Sequence, residues 1–475
     1  MDKARIERLL QSVSYTREFL MGPGFVSEIP GAAKRSFPGS RIAVVADDNT
    51  FRAAGGMVID GLYGAGLDVA GKFVFPGTPT LHADYRHVED LRQFLVECDA
   101  IPIAVGSGTI NDITKLASHE SGRKYMVVPT AASVDGYSAY GAAILVDGFK
   151  QTIDSPAPLA IVADTRVLKD APPEMTAAGY GDLLGKITAG ADWIIADSVN
   201  VEAVNPFTWE MVQKDLRKWL GQPERLLEGD LHAIEQLFEG LTVSGLAMQA
   251  QRSSRPASGT EHHFSHVWEM LNLEKDGIPV SHGFKVAIGT LAASAMLETV
   301  FAREIGRLDV DAACDRYPSL EDRQNQVRGA FFGNPAGTGV GPRDSESLSA
   351  GQSLGRRIVD QAGKGVVDRI VATTLAKHLT KDELRERLAL VRSRWDVLRS
   401  RVKAQLLPYS ELRGMLARAK CPTSPDQINL SRGQVRETFF LAQMIRERYT
   451  VLDLAYEMGW LEECVEEIFS SGAFL

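Results

Sequence analysis

The stretch Ala100–Ser118, AIPIAVGSGTINDITKLAS, limits what this 475-residue chain can fold into more than any other segment. An apolar strand, Ile101–Val105, runs straight into Gly106-Ser107-Gly108-Thr109 and then into a helix from about Ile110. A strand that turns into a helix through glycines belongs to an alternating strand–helix architecture with a parallel sheet. The turn exposes backbone N–H groups and the positive end of the helix dipole, which together suit a phosphate or pyrophosphate. GSG also serves ordinary tight turns, so the spacing alone leaves both readings open.

The neighbouring sequence supports the alternation. RIAVVADDNT predicts a buried strand, Arg41 to Ala46, ending at the polar pair Asp47-Asp48, with a helix to about Leu62. A β-rich piece, VAGKFVFPG, and an amphipathic helix, Tyr85 to Cys98, follow. A further strand, Lys124 to Val128, ends in PTAASVDGYSAYGA, which the alternation sets beside the GSG turn at the carboxyl edge of the sheet, where open α/β sheets bind ligands. Asp135 is the one charged residue of that loop, amid Ser133, Tyr137 and Ser138; an Asx-turn is the plainer role for an Asp-Gly pair and is compatible with a place in a site. Ile144–Val146 and Leu159–Val162 complete the β-like segments, and a domain boundary is expected near residues 163–172.

Beyond it the texture is helical. In GYGDLLGK, Asp182 and Lys186 are four apart and would share a face, either as a surface ion pair or, given Gly179, Gly181, Gly185 and Gly190, packed around a site. The window EHHFSHVWE to SHGFKVAIG then holds His262, His263, His266 and His282, four of the nine histidines. His262 and His266 share a helical face and His282 opens a second apolar segment, a pattern that suits zinc, nickel or iron(II) if a carboxylate joins. Residues 306–345 mix Pro, Gly and charge and predict a loop-bearing insertion, while the closing QVRETFFLAQMIRERYTVLDLAYEMGWLEECVEEIF predicts two amphipathic helices joined near Tyr449-Thr450.

Composition narrows the classes of function. A formal net charge of -9 argues against nucleic acid or an anionic membrane as partner. Cys98, Cys314, Cys421 and Cys464 are scattered and read as thiols of a reducing compartment. The charged N-terminus lacks the apolar core of a signal peptide, and no run of about 18 apolar residues predicts a membrane span, so a cytoplasmic location is expected.

GSGTIND, PTAASVDG, GYGDLLGK, SGTEHHFSH and SHGFKVAIG, in this order, resemble the superfamily of iron-containing alcohol dehydrogenases, glycerol dehydrogenases and dehydroquinate synthases, most of all its bacterial glycerol-1-phosphate dehydrogenases. The resemblance runs from about residue 40 to 300 and returns at RERYTVLDLAYEMGWL; residues 306–400 are recognised least. It implies a Rossmann-like α/β nucleotide-binding domain, residues 1–165, followed by an all-α metal- and substrate-binding domain, residues 166–475. It implies a metal held by Asp182, His262 and His282; the residues leave a choice between His262 and His263, and the family's histidine with a second one four residues later selects His262, with His266 as a neighbour that orients substrate, relays a proton or only packs. Gly106, Ser107, Gly108, Thr109, Asp112, Thr130 and Ser133 would border a nicotinamide cofactor. Asp47 would sit near the adenosine ribose and favour NAD over NADP, unless it only caps a helix. Asp135 would hold a substrate hydroxyl, and Lys186 and Lys285 the phosphate of dihydroxyacetone phosphate, reduced reversibly to sn-glycerol 1-phosphate for phospholipid synthesis. A homodimer is implied as well. Rival readings are a dehydrogenase of free glycerol or another polyol, a dehydroquinate-synthase-like lyase, for which Asp182 stands where a glutamate ligand is expected, and a non-catalytic descendant.

Overall fold

The computed structural model describes residues 3–78, 80–146, 149–332 and 353–472. Its contacts group into two compact units. The first comprises Met1–Leu183, Pro206–Ala257 and Arg418–Lys420; the second comprises Leu184–Asn205, Ser258–Ala417 and Cys421–Leu475.

The first unit is built on a six-stranded parallel sheet. Its strands are β1 (Glu18–Gly22), β2 (Arg41–Asp47), β3 (Val69–Phe75), β4 (Ala100–Gly106), β5 (Met126–Pro129) and β8 (Ala160–Asp164), in the order β1-β8-β5-β4-β2-β3. β6 (Ala142–Val146) and β7 (Phe149–Ile153) form a separate antiparallel ribbon, so the Ile144 segment does not extend the main sheet. β1 is the strand the sequence reading did not contain. The central strands are near-continuous apolar runs because helices cover both faces of a parallel sheet. Alternation puts Ile42, Val44, Ala46, Ile103, Val105, Met126, Val128, Ala160 and Val162 on one face, packed with Ile29, Ala32 and Ala33 of helix Ile29–Ser36 and Val58 and Leu62 of helix Gly56–Gly64. From β2 the chain goes outward to β3 and then returns to the opposite side of β2 as β4. The carboxyl ends of β2 and β4 therefore flank the point where the winding reverses, the usual ligand position of such sheets.

The second unit is helical apart from a short antiparallel pair, Glu274–Lys275 with Ile278–Pro279. Helix Thr260–Met270 carries His262 and helix His282–Ala302 begins at His282, as the sequence predicts. The two lie very close because Gly289 meets Glu261: a Cβ on Gly289 would stand 2.4 Å from the Glu261 carbonyl oxygen. The His282 helix has a mean hydropathy of 1.4 over its most apolar window, enough to cross a bilayer by length and composition, although Lys285 and Glu298 interrupt it and no uninterrupted apolar run of about 18 residues is present. It is a core helix, 83% of that window being buried within the protein.

Two expectations are corrected. Within the presumed insertion, Val310–Arg316 and Leu320–Phe332 are helices that bury Cys314, Val327 and Phe331; residues 333–352, with the GNPAGTGVGPRDSE sequence, lie outside the described residues. The closing stretch forms three helices, Arg432–Met444, Val451–Glu457 and Leu461–Ser470. The first break is fixed by Asp192, whose Oδ1 accepts the Val451 N–H at 2.7 Å, and by the Thr450–Asp453 capping box.

Candidate active site

The GSG turn is shaped by contact. A Cβ on Gly106 would come within 2.6 Å of the Ile110 Cβ, so only glycine lets the strand close onto the helix there. The helix starts at Gly108, two residues before the predicted Ile110, and its N-cap residue Ser107 makes no side-chain capping bond. Ser107, Gly108 and Thr109 are half-exposed, so the first-turn N–H groups face outward as donors for an anion. Thr130 is buried and its N–H donates to the Gly106 carbonyl at 3.1 Å, which ties the PTAASVDG loop to the turn. Ser133 lies 3.4 Å from the Tyr137 hydroxyl. Asp112 accepts the Ala143 N–H at 3.3 Å and lies 3.7 Å from Lys115 Nζ. Asp47 caps the next helical turn: its Oδ1 takes the N–H groups of Asn49 and Thr50, both at 2.8 Å, and Thr50 Oγ1 accepts the Asp47 N–H.

Lys115, which the sequence reading passed over, organises the loop. Its fully buried ammonium donates to the carbonyls of Gly136, Ala139 and Gly141 at 2.9, 2.9 and 3.0 Å. Burial lowers its pKa, against the attraction of Asp112 and Asp135. A lysine three carbonyls deep reads in sequence as one more exposed helix residue; the only signal was its place inside an apolar helical face. The loop thus held presents the Asp135 N–H to Asp182 Oδ2 at 3.0 Å, while the buried Asp135 side chain accepts from Ser244 Oγ at 3.1 Å.

Asp182 ends helix Pro173–Leu184, and Lys186 begins a new helix, Lys186–Ser198, after Gly185. The pair therefore does not share one uninterrupted helical face, and it is no surface ion pair, since both residues are fully buried. Burial raises the pKa of Glu261, while the Gly259 N–H, the Thr188 hydroxyl and the Lys186 charge lower it. Glu261 accepts from Thr188 at 2.8 Å and from Gly259, and so stays an acceptor for His262 Nδ1 at 2.8 Å. Glu269 does the same for His282, 2.8 Å from its Nδ1. A carboxylate beside each Nδ1 favours the ring proton there and leaves Nε2 for a metal, the arrangement by which carboxylates orient histidine ligands.

The two rings have centroids 5.3 Å apart, and Asp182, His262 and His282 each offer a ligand atom within 4.8 Å of the others. One carboxylate and two imidazoles match the donor set of zinc, nickel or iron(II). His266 donates from Nδ1 to Glu269 Oε2 at 3.1 Å, and burial together with the Arg446 charge pulls its pKa down to about 3. His263 is buried in the helix interface with neither ring nitrogen hydrogen-bonded among the described residues. Lys285 is buried 3.8 Å from Glu269, not on the surface. Glu261 and Glu269 were missed because a glutamate beside a histidine is commonplace on any helix; only packing shows which of them is buried.

The profile of the iron-containing alcohol dehydrogenase family matches residues 20–172. The chain is 35% identical over 306 residues to glycerol-1-phosphate dehydrogenase [NAD(P)+] of Halalkalibacterium halodurans, covering 64% of this chain and 73% of that one. It is 43% identical over 246 residues to the enzyme of the same name from Bacillus velezensis, covering 51% of this chain and 62% of the relative, under two thirds of its length. Among solved structures, a probable glycerol dehydrogenase from Sinorhizobium meliloti superposes with a TM-score of 0.55 at 13% identity over 96% of this chain and 99% of that one, a likeness of fold. The chain belongs to the glycerol-1-phosphate dehydrogenase family of iron-containing alcohol dehydrogenases.

Proposed function

We propose that the chain is an NAD(P)H-linked, metal-dependent reductase of dihydroxyacetone phosphate, producing sn-glycerol 1-phosphate, with the reverse oxidation open to it. The observation that carries this is the triad Asp182, His262 and His282, with each histidine held through Nδ1 by a buried glutamate, in a chain of this family. When bound, a divalent ion supplies Lewis acidity at the substrate carbonyl and the nicotinamide supplies the hydride. The chain does the rest. Asp182, steadied by the Asp135 N–H, lends negative charge; His262 and His282 are aimed by Glu261 and Glu269; His266, neutral at working pH, relays from solvent the proton that the substrate oxygen takes up to finish the reduction.

In this reading residues 1–165 form the nucleotide-binding domain and 166–475 the metal- and substrate-binding domain. Gly106, Ser107, Gly108 and Thr109 receive the pyrophosphate, Asp112, Thr130 and Ser133 border it, and Asp47 favours NAD over NADP by repelling a 2′-phosphate. Asp135 contacts a substrate hydroxyl. Zinc, nickel and iron(II) all suit the donors, and a cytoplasmic homodimer is the expected state. The test is to purify the protein and the Asp182→Ala variant, measure bound metal, and follow NADH consumption with dihydroxyacetone phosphate and with dihydroxyacetone. Preference for the phosphorylated ketone, with loss of metal and rate in the variant, supports the reading; preference for the free ketone favours a polyol dehydrogenase, and retention of metal and rate in the variant defeats the triad.

A further inference from the structure

The loop that follows β5, residues 130–141, is pressed between the GSG turn and the helix that carries Asp182, all within the first unit. On the side of the turn, the Thr130 N–H donates to the Gly106 carbonyl at 3.1 Å, and a Cβ on Gly108 would stand 3.2 Å from Val134 Cγ1. On the other side, helix Pro173–Leu184 meets the loop at two neighbouring points. A Cβ on Gly179 would fall 1.9 Å from the Ala132 carbonyl oxygen, so backbone rests on backbone there. One turn later Asp182 Oδ2 accepts the Asp135 N–H at 3.0 Å.

A wedged loop passes a displacement from one side to the other only if it is stiff, and Lys115 is what stiffens this one. It lies about two turns along helix Gly108–Glu120, which begins in the GSG turn. Its ammonium has three N–H donors and meets three loop carbonyls, those of Gly136, Ala139 and Gly141, at 2.9, 2.9 and 3.0 Å. Asn111, one turn nearer the start of the same helix, adds a bond from Nδ2 to the Gly136 carbonyl at 3.3 Å and accepts the Tyr125 hydroxyl on its Oδ1 at 3.0 Å. The loop is thus tied at Gly136 to the helix whose first-turn N–H groups face an anion, and at the adjacent Asp135 to the candidate metal ligand.

We propose that Lys115 is a positioning residue which, through this loop, couples nucleotide binding at the GSG turn to metal binding at Asp182, each tightening the other. This rests on the metal-dependent, nucleotide-linked reading above. An anion on the first-turn N–H groups orders the helix and, through Lys115, the loop whose Asp135 N–H holds Asp182. The second ligand then has less to immobilise, so the coupling is positive and reciprocal.

The test uses zinc(II) and ADP-ribose, which carries the pyrophosphate but no nicotinamide to reach the metal. Zinc affinity is measured by chelator competition with and without saturating ADP-ribose, and ADP-ribose affinity by calorimetry with and without zinc, in the wild type, Lys115→Met and Val134→Ala. In the wild type each ligand should tighten the other about tenfold. Lys115→Met, which keeps the length of the side chain and removes its donors, should bring that factor down to about twofold or less. Val134→Ala only thins a half-buried contact with Gly108, and should reduce the factor to about threefold; it decides the matter if Lys115→Met does not fold. A residue that is merely structural would weaken zinc without changing the ratio. A wild type that binds both ligands without coupling, or a factor unchanged in the folded variants, as attraction of charges through space would give, overturns the proposal and leaves the reductase reading standing. A wild type that binds no ADP-ribose removes the nucleotide reading and the coupling with it.

Discussion

At the scale of single residues, the candidate site shows how much of a metal centre lies outside its ligands. His262, His282 and Asp182 are legible in the sequence because their chemistry is rare there: histidines clustered four residues apart, and an aspartate among glycines. Glu261 and Glu269 are equally necessary to the geometry and carry no such mark. Replacing Glu269 by Gln keeps the shape but removes the charge that stabilises the His282 Nδ1–H, and metal affinity should fall about 10- to 100-fold, measurable by competition with a chromogenic chelator. Unchanged affinity would show that Glu269 only packs. Asp192 gives a matched case in stability. Its two oxygens accept the N–H groups of Thr260 and Val451 at 2.6 and 2.7 Å, starting two helices at once. Asp192→Ala should lower unfolding stability by about 2 kcal/mol, twice a typical cap, in a denaturant titration. Lys186 marks the limit of spacing arguments. Its distance of four from Asp182 gives no sign that the helix breaks at Gly185 or that Lys186 is fully buried.

At the scale of elements, local pattern and packing divide the work unevenly. The amphipathic helix Tyr85–Cys98 is read correctly at both ends because one buried stripe, Val88, Leu91 and Leu95, is followed by a cap residue, Asp99, in the left-handed conformation. β1 escapes notice because EFLMG is short and carries no alternation; what makes it a strand is β8, with which it pairs in parallel from Glu18–Ala160 to Gly22–Asp164. The helix pair that carries His262 and His282 depends on an absence, the missing side chain of Gly289. Gly289→Val would push its Cβ into the Glu261 carbonyl, 2.4 Å away, and force the helices apart. The expected result is a stability loss of about 1–3 kcal/mol by chemical denaturation, together with weaker metal retention on dialysis. A variant that binds metal as well as the parent would mean that the helices absorb the strain without moving the histidines.

At the scale of the whole molecule, buried charge sets how stability follows pH. Glu457 lies deep in the second unit, with the Tyr449 hydroxyl donating to it at 2.6 Å and Arg387 paired with it at 2.8 Å. Burial nonetheless raises its pKa from the usual 4.5 to about 7, against the pull of Arg387. Because the folded-state value is the higher one, the folded protein holds more protons between the two values. This residue's contribution is fully present below about pH 4.5 and declines as pH rises to about 7, by about 3 kcal/mol in all. Denaturation of the wild type and of Glu457→Gln between pH 5 and pH 8 isolates it: the gap between the two should change with pH in that sense, and a constant gap defeats the assignment. The sequence by itself determined the parallel strand–helix alternation, the glycine turn at Gly106–Gly108 and the clustering of histidines from which the family resemblance picks the candidate ligands, because periodicity and side-chain chemistry are properties of the chain alone. The tertiary structure decided which charges are buried and by what they are answered: Lys115 by three carbonyls, and Glu261 by the Gly259 N–H, the Thr188 hydroxyl and the Lys186 charge. Those answers arise from segments far apart in sequence, and no local pattern contains them.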